Sequence, residues 1–263
     1  MALPTRARGY PRAGGVPGSW HGCCHRPSTP VATLDCTLGF NANHFVLGRG
    51  FITASHCTSI QGGTEGTKFY QAGSNIFGWD FVGTEAHDPQ YYSWGDCPAG
   101  RVCRHSDSAF VQYDPDETLG RLGNLAMPLA RCSLPQTHCL LDVIQDASLL
   151  YQVVNSGFVS AVAAGQDLDK IGRTTGHTHG RVTGTWIDAN IGSSNVTLIC
   201  QYQRAAGGDN GDSGGPVFMR HGTTSSIDAI GILWGGSTTS DFAFSLLWDV
   251  QSETGGQGAI TLK

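Results

Sequence analysis

Charge is what this sequence has least of. Lysine and arginine number 16 and the acids 21 in 263 residues, so 14% of positions are charged and the formal net charge is −5. The basic residues never cluster, so phosphate contacts and a nucleic-acid partner are not expected, and the composition is not that of a disordered chain. No apolar run approaches roughly 18 residues, which argues against a membrane-spanning helix and a membrane partner. Residues 1–30 also lack the continuous apolar segment of about 7–15 residues that an export signal needs. They hold Arg6, Arg8, Arg12 and Arg26, no acid, and many Pro and Gly. This stretch is expected to be a disordered leader or the remnant of a pro-segment. No internal repeat is visible.

Glycine is abundant instead, with 37 residues spread along the chain without a period. From about residue 31 the texture is one of short apolar alternations split by Gly, Asn, Asp and Ser. FVLGRGFITA (45–54), SAFVQY (108–113), RVTGTWI (181–187), VTLICQYQ (196–203), GPVFMR (215–220) and AIGILW (229–234) are β-branched, aromatic-rich and bounded by turn signals. The reading is all-β. One helix is expected near the C-terminus, over roughly 243–252, where Phe244, Leu247 and Val250 share a face and Gly255 follows. RCSLPQTHC interrupts the strand pattern and marks a boundary near 130–150.

Nine cysteines at 23, 24, 36, 57, 97, 103, 132, 139 and 200 lack the repeated Cys-x2-Cys spacing of a zinc module. Disulfides in an oxidising compartment account for them better, so a secreted, extracellular protein is expected. Asn195-Val196-Thr197 forms a glycosylation sequon, which agrees with secretion. The odd count leaves at least one thiol unpaired or paired with another chain.

GGDNGDSGGPVF (207–218) places Ser213 in a run too rich in glycine for core strand or surface helix. An attacking serine needs a base within hydrogen-bond reach, and the base needs an orienting group. Of ten histidines, His56 sits at the end of FITASHC beside Cys57. Cys36 lies 21 positions upstream of Cys57. A bridge between them would fix the backbone next to the imidazole, worth roughly 3 kcal/mol on chain-entropy grounds. Gly-x-Ser-x-Gly also occurs in α/β-hydrolases, but that scaffold requires the order Ser, acid, His. After Ser213 the only histidine is His221, with no acid between. The order His, Asp, Ser remains.

TASHC (53–57) and GDSGGPV (211–217) resemble the two signature segments of chymotrypsin-like serine proteases. CTLGF (36–40), KIGRTTGHTHGRVTG (170–184) and AIGILWGGS (229–237) are similar to segments of the bacterial streptogrisin and α-lytic protease branch, in the same order. The resemblance implies two six-stranded antiparallel Greek-key β-barrels, over 31–140 and 141–263, with a short C-terminal helix. It implies a secreted serine endopeptidase with protein or peptide substrates, acting as a monomer without cofactor or metal. Ser213 would be the nucleophile, His56 the base and Asp107, in SDSAFVQY, the orienting acid, with Asp114 and Asp96 as nearby rivals. Backbone N–H groups of Gly211 and Ser213 would form the oxyanion hole.

The same resemblance places a buried Asp212 against an internal cation, and Lys170 stands where the branch has arginine. It puts Gly207, Gly208, Trp234, Gly235 and Gly236 around the pocket for the P1 side chain. Gly207 replaces the acid of trypsin-like members, although Asp209 is close. Open glycines on the far wall favour an apolar or medium-sized P1 residue. Trp234 departs from the branch, which usually has a serine there that bonds the catalytic aspartate. Cys97–Cys103 is expected to staple the loop before Asp107, and Cys132 and Cys139 to pair, leaving Cys200 free.

Two alternatives stand beside this. His177 and His179 alternate on one strand, as metal ligands can, and HGCCH (21–25) is a second such candidate; a surface or disulfide role is the expectation for each. A protease-like domain that has lost catalysis and only binds is the competing class, with Trp234 its best support.

Overall fold

The computed structural model describes residues 22–25, 34–72, 79–115, 122–128, 131–133, 150–155, 159–237 and 240–263. Its strands, in chain order, are β1 (Gly22–His25), β2 (Leu34–Thr37), β3 (Asn41–His44), β4 (Gly48–Thr53), β5 (Lys68–Ala72), β6 (Trp79–His87), β7 (Val102–Arg104) and β8 (Ala109–Tyr113). They continue as β9 (Asn124–Ala126), β10 (Leu150–Asn155), β11 (Asp167–Gly172), β12 (Gly176–Asn190), β13 (Val196–Arg204), β14 (Pro216–Arg220), β15 (Ser226–Ser237), β16 (Asp241–Leu246) and β17 (Ile260–Thr261). One helix, α1 (Leu247–Glu253), precedes β17.

The strands form two sheets, and each curls on itself. In the first, the order is β17-β3-β4-β8-β6-β5-β1-β2. The chain runs from β2 directly into β3, and on the way Gly39 N donates to Ile52 O (2.9 Å) while Ile52 N donates to Phe40 O (3.0 Å). With β2 and β3 taken as one bent strand, six strands close a barrel and β17 lies outside it. In the second sheet, β14-β11-β12-β13-β16-β15 are six strands closed by direct β14–β15 pairing. Strands β10 and β7 join its outside in parallel, against β15 and β13. Gly22–His25, which fall within the stretch read as leader, form β1 and pair with both β2 and β5.

Each barrel has its own apolar filling. Phe51, Phe69, Val82 and Val111 fill the first, next to Cys36 and Cys57. Leu168, Val182, Tyr202, Val217, Leu233, Phe242, Phe244 and Leu246 fill the second. A third cluster joins them: Phe40, Ile52 and Phe110 pack on Tyr151, Ile171, Phe218 and Ile232, with Leu247 and Val250 of α1. Strand β8 is apolar on both faces because it serves two cores, with Phe110 turned to the interface and Val111 to the first barrel. Each such side chain contributes about 1.5–3 kcal/mol by leaving water, so the interface is a core and not a sliding contact.

The C-terminal helix is shorter than its sequence pattern. Residues 243–246 belong to β16, where Phe242, Phe244 and Leu246 alternate into the second barrel and are almost wholly buried. A period of two governs up to Leu246, and the helix begins only at Leu247. Phe244 fits both periods, and pairing with Leu233 on β15 and Tyr202 on β13 decides for strand.

Candidate active site

His56 lies in a short 3-10 turn, Ser55–Cys57, where β4 ends. Cys57 is bonded to Cys36 at the end of β2, and both are buried, so the backbone on one side of the imidazole is fixed. Asp107 sits between β7 and β8. His56 Nδ1–H donates to Asp107 Oδ2 in a short hydrogen bond, and the backbone N of His56 donates to Asp107 Oδ1 at 3.1 Å. The imidazole keeps 31% of its side chain exposed while the carboxylate keeps 2%, so a reactant can reach the ring but not the acid. Burial lowers the imidazole pKa, but the charge of Asp107 and its hydrogen bond outweigh that, leaving His56 raised. For Asp107 burial pushes upward, and His56 with Arg104 overcomes it, leaving the carboxyl lowered.

Arg104 explains how both flanks of this pair stay in place. It is fully buried, and one guanidinium nitrogen donates to Asp88 Oδ1 (2.7 Å) and Ser55 Oγ (3.0 Å). The other donates to the carbonyl of Ser108 (2.7 Å). Ser55 precedes His56 and Ser108 follows Asp107, so one planar cation spans the two loops. Ser55 Oγ in turn donates to Asp88 Oδ2 (2.7 Å). From the other side, Glu253 at the end of α1 accepts from the backbone N of His105 (2.7 Å) and of Ser106 (3.0 Å), and from Ser106 Oγ (2.5 Å).

Ser213 stands in the turn between β13 and β14, partly exposed between buried neighbours. Its carbonyl accepts from Thr37 N (2.7 Å), and Thr37 Oγ1 donates to the carbonyl of Gly211 (2.7 Å). Thr37 follows Cys36, whose bridge leads to Cys57. Cys57 Sγ lies 4.0 Å from Ser213 O. The hydrogen bonds of Thr37, next to the disulfide that holds the histidine turn, therefore join the serine turn of the second barrel to the first. Gly211 has φ +97°, and a Cβ there would stand 2.5 Å from Thr174 Oγ1. Gly214 has φ +84°, with a Cβ 2.2 Å from Thr53 Oγ1. The turn needs glycine on both sides of Ser213.

Asp212 points inward from this turn. Lys170 Nζ donates to its Oδ2 at 2.8 Å, and both side chains are completely shielded from solvent. Thr175 Oγ1 (2.5 Å) and Asp209 N (3.2 Å) donate to the same oxygen, and the backbone N of Thr174 (2.9 Å) and Thr175 (3.1 Å) to Oδ1. Burial raises the Asp212 carboxyl, but the ammonium and these donors win and hold it lowered.

Around the expected P1 pocket, the Gly207 carbonyl accepts from Thr178 Oγ1 (2.9 Å), and Gly208 faces Phe242. A Cβ on Gly235 would meet nothing within 4 Å, whereas one on Gly236 would run into the backbone of Asp241. Trp234 turns its indole N–H to Gln201 Oε1 (2.8 Å). That oxygen also accepts from Ser245 Oγ (2.7 Å), and Ser245 Oγ accepts from Asp107 N (3.1 Å). Trp234 thus reaches Asp107 through two polar side chains and its backbone.

The remaining candidates have other partners. Asp96 accepts from Tyr92 Oη (2.8 Å), and Asp114 N donates to Val82 O at the end of β8. His177 is buried and bonds Asp169 (2.7 Å), which also holds Arg131; His179 faces Asp167. No group of three His, Cys, Asp or Glu side chains suited to a metal occurs among the described residues. Cys97 is bonded to Cys103, Cys132 is in a disulfide, Cys139 lies outside the described residues, and Cys200 is free. Sequence reading missed Arg104, Asp88, Glu253, Gln201, Ser245 and Gln61. None of these sits in a motif that singles it out in the sequence, where Arg104, for instance, is one of two arginines in the polar run RVCRHSDS (101–108).

No protein-family model matches the chain, and no curated protein matches it significantly. Solved structures do. Thermobifida fusca Protease A is 19% identical over 94% of this chain and 98% of its own, with TM-score 0.58. Nocardiopsis protease is 19% identical over 94% and 99%, with TM-score 0.56, and Cellulomonas bogoriensis chymotrypsin 20% over 95% and 99%, also at 0.56. The likeness spans nearly the whole chain, and what it establishes is the architecture: this protein has the chymotrypsin-like double β-barrel of these bacterial proteases.

Proposed function

We propose that the chain is a secreted serine endopeptidase acting on proteins or peptides through Ser213, His56 and Asp107. The observation that carries this is the short His56–Asp107 hydrogen bond beside a serine turn tied to it through Thr37 and the Cys36–Cys57 bridge. In this reading His56 takes the Ser213 proton as Oγ attacks the scissile carbonyl, then gives it to the leaving amine. Asp107 keeps the second nitrogen protonated and stabilises the imidazolium. The backbone N–H groups of Gly211 and Ser213 receive the negative charge on the former carbonyl oxygen; losing one such donor typically costs about 10²–10³ in turnover.

Open space over Gly235 and the apolar Phe242 beside Gly208 favour an apolar or medium-sized P1 side chain. Disulfide bonds at Cys36–Cys57 and Cys97–Cys103 fit an oxidising, extracellular setting. Among the described residues no helix is long and apolar enough to cross a membrane.

A fluorophosphonate probe tests the chemistry. It is expected to label the folded chain once and not to label Ser213→Ala. A folded chain that stays unlabelled would favour the non-catalytic binding role. Cleavage of a peptide library then reads the P1 preference directly.

A further inference from the structure

We propose that Gln61 is a positioning residue for Asp107, completing the hold on its carboxylate from the histidine side of the site. This rests on the catalytic reading above. Among the described residues two side chains donate to that carboxylate: His56, and Gln61, whose Nε2 reaches Oδ1 at 3.1 Å. The strand residue that could have served from the second barrel is committed elsewhere, since the Trp234 indole goes to Gln201. From that barrel Ser245 touches Asp107 only at its backbone N. The carboxylate is therefore oriented by the loop that follows His56.

That loop is built to hold Gln61 still. Ile60 N, on one side, donates to Glu65 Oε1 (3.1 Å). Gly62 N, on the other, donates to Asp88 Oδ2 (3.2 Å). Gly62 has φ +81°, and a Cβ there would lie 2.2 Å from the Tyr91 ring, so the backbone is pressed against a wall that only glycine tolerates. Asp88 is the partner of Arg104, which grips Ser55 and Ser108. Gln61 thus hangs between two anchored residues, and one of those anchors belongs to the same polar network that fixes the two flanks of the pair. Its half-buried amide lies over Asp107 Oδ1.

The physical effect follows from the direction of the dipole. An amide N–H aimed at Oδ1 stabilises the charged carboxylate and offsets part of its negative potential at the ring. It also holds the carboxylate plane so that Oδ2 stays in line with Nδ1–H. Without it, the acid is freer to rotate and His56 feels a more negative neighbour. The other charged or titratable groups bearing on the pair are Arg104, Asp88, Tyr91 and, beyond Ser106, Glu253. Glu65 lies under the loop through Ile60.

The test uses the full chain, with Gln61→Leu and Gln61→Glu. Each is read by NMR titration of the His56 ring and by the rate of fluorophosphonate labelling across pH. Both variants are expected to move the His56 midpoint upward, Glu further than Leu because it adds a charge. Labelling at the alkaline plateau is expected to fall about tenfold in the Leu variant. Should Leu fail to fold, the isosteric Glu variant carries the comparison alone. The proposal is overturned if both variants keep the wild-type titration and rate. It is equally overturned if rates fall while the His56 titration stays put, because Gln61 would then merely pack the loop. If wild type is never labelled yet the titration moves, the protease reading fails and the hold of Gln61 on Asp107 stands.

Discussion

Lys170 Nζ lies 2.8 Å from Asp212 Oδ2, and neither side chain touches solvent. Two charges in such a place are tolerable only as a pair. Removing the cation leaves a buried carboxylate next to the backbone of Ser213, and breaking a buried pair typically costs about 3–5 kcal/mol. Lys170→Ala is therefore expected to lower the thermal midpoint by roughly 2–4 °C for each kcal/mol lost. Labelling of Ser213 should fall with it, because Asp212 lies between the two proposed oxyanion donors. A variant that unfolds at the wild-type temperature and labels at the wild-type rate would show that the ion pair supports neither the fold nor the turn.

The His56–Asp107 pair predicts a pH profile. In the proposed mechanism the base form of His56 is the competent one, and its pKa is raised from 6.5 because Asp107 outweighs burial. Activity should therefore be lost as pH falls through a midpoint above 6.5, read from kcat/KM on a peptide substrate. In stability the same shift acts the other way: the contribution of imidazolium is present at acid pH and lost as pH rises through that midpoint. Asp107→Asn leaves burial unopposed, so the acidic limb should move below 6.5, with turnover reduced about 10⁴-fold. A limb that stays in place in Asp107→Asn would mean that the pair is not what sets it.

The all-β character was legible because alternation and glycine-marked turns are local features, while the two barrels followed only from the resemblance of several short segments to the protease branch. His56, Asp107 and Ser213 could be named because each sits in a short motif whose residue types the chemistry demands. The helix boundary was less legible: Phe244 satisfies a period of two and a helical face equally, and only pairing with Leu233 and Tyr202 separates them. Gln61, Gln201 and Ser245 left no mark at all. They are neutral residues in unrelated segments: the contact of Gln61 exists only once the first barrel has closed, and those of Gln201 and Ser245 only once both barrels have met. Trp234 stood out in sequence as a departure, and the structure gives it a partner in Gln201.

Glu253 gives a prediction that reaches the site from the far end of the chain. Its carboxylate accepts from two backbone N–H groups and a hydroxyl at His105 and Ser106, immediately before Asp107. Glu253→Ala strands the two backbone N–H donors, at roughly 1–3 kcal/mol for each one left unpaired, while the Ser106 hydroxyl keeps Ser108 Oγ as a partner. Unfolding in urea should show the loss, and kcat should fall more than KM rises, because the loop carrying Asp107 loosens while the substrate cleft is untouched. Glu253→Gln, which retains one acceptor oxygen, should recover part of both. Equal behaviour of Ala and Gln would argue that the carboxylate does not organise the loop.

Asp249, one turn before Glu253 in α1, is placed at a cost. Burial, and then the charge of Glu253, push its carboxyl up to about 7. The folded chain therefore holds a proton that the unfolded chain has already released across the window from the ordinary aspartate range to about 7. Stability must fall as pH rises through that window, because there the native state binds more protons than the unfolded one. Asp249→Asn removes the ionisation while keeping the shape. It should raise the thermal midpoint at pH 8, where the wild-type carboxylate is charged, and leave it nearly unchanged at pH 4, where the native group is protonated. The difference between variant and wild type should grow steadily between those two pH values. A constant difference across the range would mean that the substitution acts through packing and that Asp249 ionises as freely in the fold as in the open chain.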